Sequence, residues 1–247
     1  MRIGGIVDMS TIDWYGNVSL VVFFAGCNFR CPYCQNSSLL PLDSGQEVDA
    51  EYLRRRIEVG RDLLDAIVIT GGEPLLQPEG IEEVAGIARD LGLKLLLDTN
   101  GSRPNVVRKL LEAGLIDRVA LDVKAPFTPE DYTRVAGPMG GTLYREVEKT
   151  LEICNDSGVE IEARTTVAPG VSDELEFIER IASAIKGRCD AYYLQQFDNT
   201  GDVLDQELKA KDPPSRERMM ELAEVALAAG LKNVSIKTRK MGLERVS

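Results

Sequence analysis

Histidine is absent from all 247 residues. A zinc site that draws on imidazole is excluded on that ground alone. Long apolar runs are also missing. None approaches the roughly 20 residues that a membrane-spanning helix needs, and the opening Met1-Arg2-Ile3-Gly4-Gly5 lacks the apolar core of a signal peptide. Basic residues fall short of acidic ones, 29 against 40, for a net charge of -11. Such a balance argues against a general nucleic-acid surface. The reading is therefore of a chain with no nucleic acid and no membrane among its partners. Cysteine is scarce, five in all, and an odd number clustered in one place fits a reducing cytoplasm better than a disulfide framework.

Three of those cysteines lie in Gly26-Cys27-Asn28-Phe29-Arg30-Cys31-Pro32-Tyr33-Cys34-Gln35-Asn36, spaced C-x3-C-x2-C. They follow directly on the apolar run Leu20-Val21-Val22-Phe23-Phe24-Ala25. A strand feeding a tight loop can wrap three thiolates around one metal centre, and thiolates suit zinc or iron–sulfur clusters. Structural zinc wants four closed ligands, yet Cys154 and Cys189 are far along the chain. A 4Fe-4S cluster also normally takes four thiolates; with three, one iron is open to a small molecule. The plain alternative is a set of buried cysteines acting as small hydrophobes. Asn28, Arg30, Pro32 and Gln35 between them fit that poorly. Cys154 lies on an apolar helix stripe and Cys189 precedes a strand, so no cysteine set remains for a second cluster.

From Val18 onward one unit repeats. Buried parallel strands are expected at Val18–Ala25, Ala66–Thr70, Leu93–Asp98, Arg118–Val123, Glu160–Val167 and Ala191–Phe197. Helical patterns lie between them, opened by Asp49, Pro78 and Pro104 and closed by Gly60, Gly92, Gly114, Gly158 and Gly187. A last helix runs from about Ser215 to Gly230 and leads to a short strand at Asn233–Thr238. Residues 1–17, with Gly4-Gly5 and Tyr15-Gly16-Asn17, read as a short hairpin or lid. Six strand–helix units with short connections predict a parallel α/β fold in a single domain spanning 1–247. Periodicity alone does not separate an open doubly wound sheet from a barrel. Asp198–Pro214 is the one long irregular stretch, either a substrate loop or an ordinary surface loop. Gly137-Pro138-Met139-Gly140-Gly141 follows no strand and lacks the Lys-Ser/Thr of a phosphate loop, so it reads as a flexible turn.

The expected strands turn polar at their ends. Asp98 closes one; Asp122 and Lys124 alternate with Leu121 and Val123; Glu162, Arg164 and Thr166 share a face between apolar neighbours. Buried charges cost several kcal/mol each unless paired or engaged by a ligand. Either a site or a belt of salt bridges at the rim accounts for them. After the second strand, Thr70-Gly71-Gly72-Glu73-Pro74 lets backbone approach a ligand closely.

C-x3-C-x2-C with Tyr33 before the last cysteine, followed by Thr70–Pro74, resembles the radical S-adenosylmethionine (SAM) superfamily. The resemblance implies a partial (β/α)6 TIM-like barrel, a 4Fe-4S cluster on Cys27, Cys31 and Cys34, and SAM on the open iron. It implies that Tyr33 borders the cofactor and that Gly71, Gly72 and Glu73 meet the SAM amino group. Asp98, Asp122, Lys124 and Arg164 match positions where glycyl-radical enzyme activases of this superfamily hold SAM or a nearby cation. One-electron cleavage of the sulfonium gives methionine and a 5′-deoxyadenosyl radical, a step that needs no histidine base. Over Cys27–Asn36, Thr70–Pro74, Leu97–Gly101, Leu121–Pro126, Arg164–Val167 and Leu194–Phe197 the chain is most similar to activating proteins of anaerobic ribonucleoside-triphosphate reductase. The implied substrate is a backbone glycine of that glycyl-radical enzyme, and the implied reductant is a low-potential donor such as flavodoxin or ferredoxin. Rival expectations are a pyruvate formate-lyase activase, a small-molecule enzyme such as a 7-carboxy-7-deazaguanine synthase, or a non-catalytic cluster or zinc protein.

Overall fold

The computed structural model describes residues 1–246. The chain opens with β1 (Arg2–Ser10), β2 (Ser19–Phe24), the two-residue β3 (Gln46–Glu47) and α1 (Ala50–Gly60). It continues through β4 (Ala66–Gly71), α2 (Pro78–Asp90), β5 (Lys94–Thr99), α3 (Pro104–Glu112), β6 (Arg118–Asp122), α4 (Pro129–Ser157), β7 (Glu160–Val167), α5 (Leu175–Ile185) and β8 (Ala191–Gln196). The four-residue α6 (Gln206–Lys209), α7 (Arg216–Ala228), β9 (Val234–Thr238) and β10 (Gly242–Arg245) complete it.

The strands form one ten-stranded sheet in the order β10-β9-β8-β7-β6-β5-β4-β2-β1-β3. β2 and β4 through β9 are mutually parallel, while β1 with β3 at one end and β10 at the other pair antiparallel. Those ends do not pair with each other, so the barrel is partial. The six expected strands are all present. The stretch Asn233–Thr238 forms a seventh parallel strand beside β8, and β10 was not expected. The expected N-terminal hairpin is β1 folded back on β2, joined by residues 11–18.

Local chemistry explains the helix boundaries. Asp49 caps α1 through the Tyr52 amide at 2.7 Å, Ser215 caps α7 through Arg218, and proline opens α2, α3 and α4. Gly158 ends α4 in the left-handed conformation, φ +73°, where a side chain would be strained.

Alternation splits the sheet into two faces. Val119, Leu121, Ile161, Ala163 and Val167 join the core beneath the helices. Val21, Ala66, Val68, Leu96 and Ala120 face the concave side and pack on Trp14. Among the described residues no helix is long and apolar enough to cross a membrane.

Candidate functional site

The cysteine loop leaves the C-terminal end of β2, the face where parallel barrels gather their chemistry. Its base is fixed by backbone: the Gly26 amide donates to Leu39 O at 2.7 Å and the Cys27 amide to Leu40 O at 3.1 Å. Three further elements clamp it. From the end of β5, Asn100 Nδ2 donates to Asn28 Oδ1 at 3.0 Å, and Asn28 Nδ2 donates to Ser102 Oγ at 2.9 Å. From the segment after β8, the Leu204 and Asp205 amides donate to Cys34 O and Pro32 O, both at 3.0 Å.

The third clamp is α4. The helix breaks at Gly137, whose φ +79° and ψ 178° are non-helical, and the Ala136 carbonyl accepts the Arg30 amide at 2.9 Å. The Arg30 guanidinium then donates to Cys27 O and Phe29 O at 2.7 and 2.8 Å. Gly137–Gly141, read from sequence as a flexible turn, is thus a fixed kink that seats the loop. Asp198–Pro214 is likewise no plain surface loop, since it straps the cysteine loop from the opposite side.

Cys27, Cys31, Tyr33 and Cys34 line one cavity of about 550 Å³. Gly71 and Gly72, then Asp98, Asp122 and Lys124, form more of its wall. Two expected residues do not reach it. Glu73 is fully buried, and its carboxylate accepts Leu75 N at 3.0 Å, Thr99 Oγ1 at 2.6 Å and Asn100 N at 2.7 Å. Its side chain therefore sits behind the wall and holds Asn100 in place. Arg164 is spent on Glu162 at 2.5 Å and Asp98 at 3.4 Å, with Arg118 completing the ladder to Glu162 at 2.8 Å. The strand-end charges divide accordingly. Asp98, Glu162, Arg164 and Arg118 form the salt belt, and Asp122 with Lys124, 2.7 Å apart, faces the cysteines.

Gly71 and Gly72 have a steric reason of their own. A Cβ on Gly71 (φ +125°) falls 2.3 Å from Phe24 backbone atoms, and one on Gly72 falls 2.1 Å from Gly26 O. Any side chain here forces the cysteine loop off the sheet.

Burial governs the electrostatics. It pushes the Cys27 thiol up to about 12, with the nearby Glu73 charge adding to the effect, and the Cys31 thiol up to about 11 against the pull of Lys124. Cys34 is raised as well, chiefly by burial. For Lys124, burial opposes its charge, yet Asp122, Cys31 and Tyr33 together hold the ammonium well above its ordinary value. A metal must displace the thiol protons to bind here.

The donor set fits a four-iron cluster. Three thiols open on one cavity, a buried Tyr33 hydroxyl in the same wall has no hydrogen-bond partner among the described residues, and Lys124 offers a cation beside them. Among the described residues no three Cys, Asp or Glu side chains converge on one point as a single metal ion requires. Zinc, with Zn–S near 2.3 Å, needs such convergence; a cluster attaches its thiolates to separate irons. Cys154 lies on the buried face of α4, in the core, and Cys189 packs near Ile185 O just before β8, at the other end of the barrel.

Sequence reasoning gave no site role to Asn28, Asn100, Ala136 or the β9 residue Lys237, which also lines the cavity. Asn100 had a signal in the polar turn Asp98–Gly101. Ala136 had none, because a carbonyl freed by a helix break carries no side-chain mark.

The family profile described as the Radical SAM superfamily matches residues 21–181. A Methanocaldococcus jannaschii protein described as a glycyl-radical enzyme activating enzyme is 38% identical over 236 residues, 96% of this chain and 95% of that one. The pyruvate formate-lyase-activating enzyme of Clostridium pasteurianum is 30% identical over 189 residues, 75% and 76% of the two chains. Among solved structures, a radical SAM methyltransferase from Sphaerobacter thermophilus superposes with a TM-score of 0.70 at 16% identity, over 91% of this chain and 67% of that one. That last likeness concerns the fold.

Proposed function

The chain belongs to the radical SAM superfamily, and we propose that it is a glycyl-radical enzyme activase whose substrate is a backbone glycine of anaerobic ribonucleoside-triphosphate reductase. Its cofactors are a 4Fe-4S cluster and SAM. When bound, they supply one-electron cleavage of the sulfonium carbon–sulfur bond and hence a radical able to take hydrogen from carbon.

The chain's own residues supply the rest. Cys27, Cys31 and Cys34 would hold the cluster. Gly71 and Gly72 would bring backbone to the methionine end of SAM, a contact that the buried Glu73 side chain would not make. Asp98, anchored by Thr70 Oγ1 at 2.7 Å, and the Asp122–Lys124 pair would offer charges of both signs to its amino and carboxylate groups. Arg164 works one step back, by holding Asp98.

The observation that carries this reading is the 38% identity, over 96% of this chain, with a protein described as a glycyl-radical enzyme activating enzyme, joined to a loop that presents three thiols and no fourth. The residues that match the reductase activases, Leu121–Pro126 and Leu194–Phe197 among them, favour the reductase as partner, with flavodoxin or ferredoxin as electron donor. A second reading, pyruvate formate-lyase as partner, rests on the 30% identical relative. Reduced protein with SAM and the reductase should give a glycine-centred EPR doublet. No doublet with the reductase but one with pyruvate formate-lyase would replace the first reading by the second. Iron content near zero with one zinc per chain and no 5′-deoxyadenosine would sink both.

A further inference from the structure

β9 lies outside the six strands that carry the cysteine loop and the SAM wall, yet its Lys237 points into the same cavity. The register sets Gln195 beside Thr166 on β7 and beside Lys237 on β9. Three polar side chains therefore stand in a row, one strand spacing of ~4.8 Å apart, and all three line the cavity.

Each has donors to spare. Among the described residues, neither the Thr166 hydroxyl nor the Gln195 amide makes an intramolecular hydrogen bond. Within the same described residues Lys237 Nζ donates to Ile12 O alone, at 2.9 Å, and stands over the Tyr15 ring at 5.5 Å. Of the carboxylates around it, Glu162 is engaged by Arg118 and Arg164 and Asp98 by Arg164, while Asp13, which accepts from Ser10 Oγ, adds its negative charge near the ammonium. Burial and the Arg164 charge lower the Lys237 pKa. A half-buried ammonium with two idle protons calls for an oxygen acceptor.

We propose that the row Thr166–Gln195–Lys237 is the substrate subsite, in which it binds peptide main chain and Lys237 donates to a carbonyl beside the glycine from which hydrogen is taken. This rests on the glycyl-radical reading. Glycine offers a partner nothing but its backbone, so recognition must come from groups that read N–H and C=O. A primary amide reads both, and an ammonium and a hydroxyl read the carbonyl.

The test is a binding cycle on cluster-loaded, unreduced protein with SAM. The probe is a fluorescein-labelled, amide-blocked heptapeptide centred on one glycine, followed by fluorescence polarisation. A second probe replaces the carbonyl after glycine by a methylene. Lys237→Met should weaken the first probe at least tenfold, Lys237→Arg should recover part of that, and the methylene probe should bind both wild type and Lys237→Met equally. Equal weakening of both probes by Lys237→Met, or no weakening at all, overturns the subsite. A heteroaromatic carboxylate that competes only when Lys237 is present, with no peptide binding, overturns it in favour of a small-molecule substrate. The outcome is separable from the EPR assay, because a Lys237-dependent affinity for peptide can stand whether or not the reductase is the partner.

Discussion

Glu73 shows how one buried residue carries two opposed forces. Three donors, from Leu75, Thr99 and Asn100, favour its charged form. Burial outweighs them and, with Asp98 adding to it, pushes the carboxyl up to about 7 from an ordinary 4.5. Between those values the folded chain binds the proton and the unfolded chain does not, so stability falls as pH rises through that window. The fall is roughly 3 kcal/mol at most. Glu73→Gln cannot titrate, and its NH2 meets the Asn100 amide head-on. Urea midpoints should show wild type furthest ahead of the variant near pH 5 and losing ground towards pH 8; parallel curves would remove the ionisation from the account. Single thiols give a second residue-scale outcome. Cys27→Ala, Cys31→Ala and Cys34→Ala should each lose most iron after anaerobic reconstitution. Cys154→Ala should keep its iron and lose roughly 1–2 kcal/mol, the cost of a small core cavity. Equal iron loss in all four would mean a different ligand set.

At the scale of elements, α4 is where sequence and structure part. The six inner strands were legible because a strand covered on both faces must be apolar along its length, and Leu20–Phe24 or Ala66–Ile69 leave little choice. The three thiols were legible because their spacing is a ligand pattern. β10 was not, since Gly242-Leu243-Glu244-Arg245 is half-exposed and has no apolar run. Nor was the α4 kink, because Gly-Pro-x-Gly-Gly reads as a turn whichever way the neighbouring helices run. Its role appears only in three dimensions, where the break frees Ala136 O for Arg30. Gly137 holds φ/ψ values that essentially only glycine takes, and an added Cβ falls 3.1 Å from Arg30 Cβ. Gly137→Ala should therefore cost about 1–3 kcal/mol and lower iron occupancy by loosening the cysteine loop. Full occupancy with an unchanged melt would show that the kink does not position the loop.

For the whole molecule, the question is what fills a barrel that does not close. The inner wall between β2 and β6 is narrow-sided, with Ala66 and Ala120 where larger residues would meet in the middle. The space goes to Trp14, delivered by the connection between β1 and β2 and packed against Val21, Val68 and Leu96. The same connection reaches the far edge of the sheet. Ile12 accepts from Lys237, the Tyr15 ring lies under that ammonium, and the Tyr15 hydroxyl approaches the open side of Gly242. One loop thus plugs the barrel and ties its first strands to its last without a hydrogen-bonded seam. Trp14→Ala should cost about 3–5 kcal/mol, as truncation of a buried aromatic does. That corresponds to a melting temperature lower by roughly 10 °C for a chain of this size. Trp14→Phe keeps most of the filling volume and should recover more than half of the loss. Lys237 loses its backbone anchor when the loop shifts, so Trp14→Ala should also weaken the glycine-centred peptide, although residue 14 lies outside the proposed subsite. A variant that melts lower yet binds the peptide as wild type would uncouple the plug from the β9 wall. The loop would then be filling alone, and Lys237 would be held by its own strand.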